Sequence, residues 1–361
     1  MSYLKWLITT LCLILIISVL VVVVNFVVDH HAVRLSLFGS KKEFHQSFYP
    51  DGINQHMFNP EFIFRNTRKF DCFLFGSSRT AAFYVEKIPT GKFFNMSYSS
   101  GIPAQHLAIL KAFLKKGVKI KSVVIGLDEF CFNLPGADNQ ESLIRIMHPE
   151  AGGPNHWEIF LMYFFRKPGL QELSLWKDRV LSGRMKGRII LDEQGVNLGW
   201  WEKDQTIEKE GRPIFDFTIK KYEPIVYDPR KMDEAFAVIE NIIALSRTHH
   251  FSLTFFVTPL YSQLYLNNAE SLLVAKERLA KLTDFWDFSG FNSVTTNALN
   301  YYEESHYRYR VGDMIVNRLY GTASIKAPPD FGVWVTGQNI RRHLDKQKQE
   351  LETYLKDQHL R

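Results

Sequence analysis

A short apolar run at residues 72–75 ends directly in Gly76, Ser77, Ser78 and Arg79. An uninterrupted apolar run is typical of a parallel strand that is covered on both faces, and a glycine followed by serines is typical of a turn. Ligands of open α/β sheets bind beyond the carboxyl ends of the strands. The run therefore predicts a buried strand that delivers Ser77, Ser78 and Arg79 to the functional edge of a sheet.

Similar apolar segments recur along the chain and alternate with segments of helical periodicity. The further strand segments are 92–97, 122–129, 251–258 and 284–289. Alternating elements of this length predict an α/β fold with a doubly wound parallel sheet of five strands. Apolar residues make up 46% of the 361 positions, which is enough material for a large core.

The alternation is interrupted once, and this divides the chain into segments. The predicted organisation is a transmembrane anchor at 1–28, a connector laid over the domain at 29–69, an α/β domain formed by 70–133 and 231–325, a cap or insertion at 134–230 and a C-terminal helical extension at 326–361. The insertion should therefore lie over the carboxyl edge of the sheet.

The insertion is rich in aromatic residues. A helix is predicted between Trp157 and Phe165, followed by a hairpin-like segment from Arg188 to Trp201. Exposed aromatic segments rest on membranes, grip sugar rings or dock on partners, and buried ones form a small core of their own. Trp200 and Trp201 point to opposite faces if the segment is extended, so only one of them should be exposed.

The N-terminal run from Leu7 to Val28 contains no charged residue. As a helix it would be about 33 Å long, enough to cross a bilayer. A cleaved signal peptide usually ends in small residues, whereas this run ends in Val-Asn-Phe-Val-Val-Asp. We expect a retained single-pass anchor rather than a cleaved signal or a buried soluble helix. Lys5 and the amino terminus favour a cytoplasmic start and a translocated globular domain.

Charge and metal-ligand patterns narrow the classes of partner. The formal charge of +6 is spread over the whole chain without a basic stripe, so we predict no nucleic-acid partner. His30 and His31 have no cluster of Cys, Asp or Glu at ligand spacing beside them. We therefore expect them to be solvated and predict neither a metal nor a cofactor.

Three residue types needed for nucleophilic acyl transfer follow predicted strands or lie in a late loop. Such chemistry requires a hydroxyl, a base, a group that orients the base, and donors for the oxyanion. Ser78 follows the first strand of the sheet, His306 precedes the last helix of the α/β unit, and Glu303 lies three residues before it. Gly101 follows the next strand and could present a backbone N–H. The alternative is structural: Ser77 and Ser78 cap a helix, and His306 is a core or capping residue.

These blocks, in this order, resemble those of the SGNH/GDSL hydrolase superfamily. The matching stretches are Gly76-Ser-Ser-Arg79, Gly101, Gly126-Leu-Asp-Glu129 and Glu303-Glu-Ser-His306. The resemblance covers roughly Asp71 to Gly321 without the insertion. Together with the anchor, the chain resembles membrane-tethered SGNH proteins that work with membrane-bound O-acyltransferases on bacterial envelope polysaccharides, and the D-alanyl-transfer protein of teichoic acid.

The resemblance implies a flavodoxin-like sheet of five strands and a role for each matching residue. Ser78 would be the nucleophile, His306 the general base and Glu303 the carboxylate that orients it. Gly101, Asp128 and Arg79 would serve the oxyanion or the substrate. Two positions depart from the family pattern, since Glu303 replaces an Asp and Asp128 replaces an oxyanion-hole Asn. A carboxylate accepts hydrogen bonds but does not donate them, so Asp128 would need a counterion such as Arg79.

Two functional hypotheses follow. In the first, the chain is an O-acyltransferase or esterase anchored in the bacterial cytoplasmic (inner) membrane, with its domain on the periplasmic or extracellular side. It would move a small acyl group such as acetyl to or from an envelope or extracellular polysaccharide through a Ser78 acyl-enzyme. Its partners would be an acyl donor and a multi-pass O-acyltransferase. In the second, it is an SGNH-like scaffold or glycan-binding partner of such a membrane enzyme with weak or no catalysis, which Asp128 favours.

Overall fold

The structure, a computed structural model, describes residues 2–38, 47–49, 53–134, 142–170, 189–215, 221–322 and 324–358, and positions 173, 174, 177 and 181. The strands of this part of the chain are β1 (Ser47–Tyr49), β2 (Cys72–Phe75), β3 (Phe93–Asn95), β4 (Ser122–Leu127), β5 (Ile189–Leu191), β6 (Ser252–Val257), β7 (Phe285–Asp287), β8 (Tyr301–Glu303), β9 (His306–Tyr307) and β10 (Val333–Val335). Its main helices are α1 (Tyr3–Val28), α2 (Arg34–Phe38), α3 (Gln55–Arg65), α4 (Pro103–Lys115), α5 (His156–Phe164), α6 (Trp201–Glu210), α7 (Pro229–His249), α8 (Ser262–Leu282), α9 (Tyr309–Tyr320) and α10 (Ile340–Asp357).

The central sheet has six strands in the order β10-β7-β6-β4-β2-β3. The pairs from β7 to β3 are parallel, and β10 joins β7 in the antiparallel sense. The predicted α/β class and the parallel sheet are thus confirmed. The predicted number of five strands omitted β10, because this antiparallel edge strand follows the last helix of the alternating pattern and lies in the segment 326–361, which was predicted to be a helical extension.

Both faces of the sheet are covered, as the apolar run at β2 requires. Successive side chains of a strand point to opposite faces. Phe73 and Phe75 enter the larger core, which includes the buried sides of α3, α4, α7 and α8. Cys72 and Leu74 enter a second core with the buried side of α9. This two-sided burial leaves the carboxyl ends of the strands as the accessible edge.

The predicted connector contains a core helix that the sequence did not reveal. Helix α3 buries Phe58, Phe62 and Ile63 in the larger core. Asn54 caps it by accepting a hydrogen bond from the backbone N–H of Met57 at 3.2 Å. Pro60 lies inside the helix and weakens the helical pattern at the level of the sequence. The second half of the segment 29–69 is therefore part of the globular domain.

Within the described part of the chain, α1 is the one helix long and apolar enough to cross a membrane. Its middle side chains are exposed, with Leu15 at 64% and Ile17 at 60%. A core helix of a soluble protein would bury such residues. The exposure therefore excludes the buried soluble helix and is consistent with a single-pass anchor.

The insertion contributes α5, β5 and α6. Strand β5 pairs with β1 in the antiparallel sense, and Leu191 forms a bridge with Asn197. The predicted hairpin is thus short, and Arg188 at its start lies outside the described residues. Trp201 is 51% exposed and Trp200 is half-buried, so only one of the two is exposed. They lie at the start of α6, however, and not in the extended segment on which that expectation depended.

Candidate active site

Ser78 begins a short helical turn, Ser78–Ala82, just beyond β2. The neighbouring Ser77 caps this turn, since its Oγ accepts a hydrogen bond from the backbone N–H of Arg79 at 3.2 Å. Ser77 is buried, whereas Ser78 is half-buried. Capping is therefore the role of Ser77, and the hydroxyl of Ser78 is left for another partner.

His306 and Glu303 face each other in the hairpin of β8 and β9, across the turn at Glu304 and Ser305. Ser305 stabilises this turn through Glu303. Its backbone N–H donates to Glu303 Oε2 at 3.1 Å, and its hydroxyl donates to Glu303 Oε1 at 2.9 Å. The spacing of three residues thus brings the carboxylate next to the imidazole.

A chain of hydrogen bonds joins the three side chains proposed from the sequence. Ser78 Oγ lies 2.8 Å from His306 Nε2, and His306 Nδ1 contacts the carboxylate of Glu303. Because the carboxylate accepts from Nδ1–H, Nε2 of a neutral imidazole is the acceptor for the Ser78 hydroxyl. The side chains of His306 and Glu303 remain 25% and 35% exposed, so the group is open to a substrate.

Glu303 is held in its ionised form. Burial by itself would raise the pKa of this carboxyl, but the hydrogen bond with His306, the charge of the imidazolium and the two bonds from Ser305 lower it to about 2. A carboxylate that stays charged at neutral pH fixes the orientation of the imidazole and stabilises its protonated form.

Arg79 connects the turn at Ser78 with two other segments. Its guanidinium forms a two-pronged contact with the Glu129 carboxylate and lies 3.1 Å from Asp128 Oδ1. Its Nε–H donates to the backbone carbonyl of Ser305 at 2.9 Å. Burial would lower the pKa of Arg79, but the two carboxylates more than offset it and raise the pKa above its usual value. The ion pair of Arg79 with Asp128 expected from the sequence is present, and Glu129 is an additional partner.

Asp128 and Arg79 lie in the interior rather than at the substrate surface. Their side chains are 1% and 7% exposed. Asp128 Oδ1 also accepts a hydrogen bond from Thr258 Oγ1 at 2.5 Å. The prediction that these two residues contact the oxyanion or the substrate therefore has no support in the geometry, because their polar atoms point into a buried cluster.

Gly101 also differs from its predicted role. Its backbone N–H donates to the carbonyl of Tyr98 at 3.2 Å within a turn, so the N–H is not turned toward Ser78. A Cβ at this position would lie 2.5 Å from the carbonyl oxygen of Gly76. Gly101 thus allows two loops at the carboxyl edge to approach closely. Among the described residues, no acceptor bonds the backbone N–H of Ser78, which leaves that donor available.

Trp200 of the insertion packs on the imidazole, a contact that the sequence did not predict. Its ring lies 5.5 Å from the His306 ring at an angle of 26°, and it stacks on Tyr302 at 4.9 Å. Buried Asp204, one turn further along, accepts hydrogen bonds from Tyr302 Oη at 2.8 Å and from Arg308 Nε at 2.9 Å. No sequence signal connects these segments, since about a hundred residues separate them.

The comparisons with known proteins add no family assignment. No protein-family model matches this chain, and no curated protein sequence matches it. The case for a serine site therefore depends on the positions of Ser78, His306 and Glu303.

Proposed function

We propose that the protein is a membrane-anchored O-acyltransferase or esterase of the SGNH type that acts through an acyl ester on Ser78. One observation carries this proposal, namely the 2.8 Å contact between Ser78 Oγ and His306 Nε2, with the opposite imidazole nitrogen bonded to Glu303. This is the arrangement used for nucleophilic acyl transfer: a hydroxyl bonded to a base, and the base bonded to a carboxylate that orients it.

The reaction would proceed in two steps. Ser78 Oγ attacks the carbonyl carbon of an ester while its proton passes to His306 Nε2, and His306 returns this proton to the departing alcohol. The acyl group is then bound to Ser78. A second hydroxyl, from a sugar or from water, transfers its proton to His306 and attacks the acyl carbon, which releases Ser78 and restores its proton. Glu303 keeps its charge throughout and stabilises the imidazolium in both steps.

The sheet topology and the anchor support the finer parts of the proposal. Numbered along the chain, the five parallel strands have the order 2-1-3-4-5, which is that of flavodoxin-like sheets. We take the substrate, an envelope or extracellular polysaccharide and a small acyl group such as acetyl, from the resemblance to membrane-tethered SGNH proteins. By the same resemblance, the chain lies in a bacterial cytoplasmic membrane with its domain outside and works with a multi-pass O-acyltransferase.

A specific observation favours the second candidate function, a scaffold or glycan-binding partner without catalysis. The two oxyanion donors implied by the resemblance are both missing, since Gly101 donates to Tyr98 and Asp128 is a buried acceptor. The backbone N–H of Ser78 would then be the main donor. Removal of a single oxyanion donor usually lowers turnover by about 10²–10³-fold, so the loss of both would leave a slow enzyme or a scaffold without turnover.

A serine-reactive fluorophosphonate probe tests the proposal on the detergent-solubilised full chain. We expect labelling of the wild type and its loss in Ser78→Ala. Ser99→Ala is the matched control, because Ser99 is also half-buried in a loop at the carboxyl edge. Absence of labelling in a folded wild type would exclude the acyl-enzyme and favour the scaffold, which should still bind its glycan in Ser78→Ala.

A further inference from the structure

Helix α5 and its C-cap residue, Phe165, carry a stripe of exposed apolar side chains. Trp157, Leu161 and Phe165 are 67%, 42% and 50% exposed and recur at every fourth position. Residues at this spacing lie on the same face of a helix. The opposite face is buried through Ile159 and Tyr163, so the exposed stripe is not needed to complete the core of the insertion.

The stripe lies beside the last turns of α1. The side-chain amide of Asn25 donates to the backbone carbonyl of Phe164 at 3.0 Å and to that of Arg166 at 2.7 Å. The ring of Phe26 lies 5.6 Å from the ring of Phe164, and Val22 packs against the same cluster. These contacts hold the C-terminal end of α5 level with residues 22–26 of α1.

The length of α1 places residues 22–26, and with them the C-terminal end of α5, at the surface of a bilayer. Its 26 residues give a length of about 39 Å, compared with about 30 Å for the hydrocarbon core. Tyr3 and Trp6, 76% and 51% exposed, are suited to one membrane interface, where aromatic rings concentrate. About 20 residues beyond Trp6 the helix reaches Phe26, so the opposite interface falls next to α5.

We propose that the stripe formed by Trp157, Leu161 and Phe165 rests in the headgroup and acyl boundary of the bilayer that α1 spans. The inference depends on the anchoring proposed above. Such helix faces enter the boundary by about 5–10 Å. Lys167, exposed just after the helix, lies where it would meet lipid phosphates.

Lipid is the occupant favoured by continuity of the apolar surface. Val19 and Val23 of α1 are 52% and 48% exposed in the turns that lead to the stripe, and lipid must cover them if α1 crosses the membrane. The stripe adjoins this surface where the half-buried ring of Phe26 packs against the buried ring of Phe164. A second contact beside the anchor would restrict rotation of the domain and fix the orientation of its carboxyl edge relative to the membrane.

The test measures the depth of single labels in the full chain. Exposed Cys12 is replaced by alanine, and the buried Cys72 and Cys131 are kept. An environment-sensitive fluorophore is attached to Leu161→Cys and, as a second site, to Trp157→Cys. The chain is reconstituted in vesicles of phosphatidylcholine and phosphatidylglycerol with acyl chains brominated at shallow or deep positions.

Two further label sites separate this surface from the anchor. Leu15→Cys reports on the middle of α1, and Val274→Cys is the matched control, because Val274 is an aliphatic residue on α8 that is 52% exposed. We expect shallow bromines to quench the labels on the stripe, deep bromines to quench Leu15→Cys, and neither to quench Val274→Cys. If the labels on the stripe are not quenched but the label at Leu15→Cys is, the proposal is overturned and α1 is still a membrane anchor. Water or a protein partner would then cover α5. An unquenched Leu15→Cys would overturn the anchor and this surface with it.

Discussion

Replacement of Arg79 by methionine should lower the free energy of unfolding by about 5 kcal/mol, because two buried carboxylates lose their counterion. The guanidinium is 7% exposed, lies 3.1 Å from Asp128 and forms a two-pronged contact with Glu129. Removal of one partner from a buried ion pair costs about 3–5 kcal/mol, and the lost hydrogen bond to Ser305 adds about 1 kcal/mol. Methionine has a similar length, so the change leaves little empty space.

Urea unfolding of the detergent-solubilised chain, followed by tryptophan fluorescence, measures the effect. The transition midpoint should fall by roughly 1–2 M with an unchanged slope. Arg247→Met is the control, since Arg247 is exposed on α7 and its loss should change stability by less than about 0.5 kcal/mol. The triple variant with Asp128→Asn and Glu129→Gln should recover much of the loss, because no buried charge is then left unpaired. An Arg79→Met midpoint equal to that of Arg247→Met would refute the counterion argument.

Three further predictions concern the hairpin, the loop after β3 and the insertion. Because the pKa of Glu303 is lowered from 4.5 to about 2, its charge should stabilise the fold fully above about pH 5, and this contribution should be lost as the pH falls toward 2. The difference in unfolding free energy between wild type and Glu303→Gln should therefore shrink over that range, and a constant difference would contradict the contact with His306. Gly101→Ala should destabilise the protein by about 1–3 kcal/mol in urea unfolding, because the new methyl group meets a backbone carbonyl. Gly337→Ala should have little effect, since its nearest neighbour would lie at an ordinary 3.6 Å. Trp200→Ala should slow fluorophosphonate labelling by about 10–100-fold, because the imidazole is displaced. Trp200→Phe should retain most of the labelling rate. Equal labelling rates in Trp200→Ala and Trp200→Phe would show that the ring contact has no positioning role.

Local patterns were sufficient for the parallel strands and for the proximity of Glu303 and His306, although the β8–β9 hairpin that holds them was expected only as a loop. A buried parallel strand must be apolar on both faces, so the run before Gly76 is distinctive, and the carboxyl-edge rule then locates Ser78. The spacing of three residues between Glu303 and His306 fits a tight turn, in which the two side chains are neighbours. These features depend on short stretches of chain, which is why the sequence alone predicted them.

Contacts between distant segments were beyond such patterns. Strand β5 pairs with β1 across more than a hundred residues, and Trp200 reaches the imidazole from the insertion. The pairing partner of a short strand depends on how the whole chain closes, which no local periodicity encodes. The direction of the Gly101 N–H depends in the same way on the turn around it rather than on the residue type.

The loop that carries His306 is held from two sides by buried arginines. On the sheet side, Arg79 bonds the loop carbonyl at Ser305. On the insertion side, Arg308 is 2% exposed, and its Nε–H donates to Asp204 at 2.9 Å. Each arginine is tied to carboxylates of a different part of the chain, so the position of the imidazole depends on both parts being folded. The insertion therefore supports the proposed catalytic group, and removal of α6 should displace His306 even though Ser78 and Glu303 lie outside it.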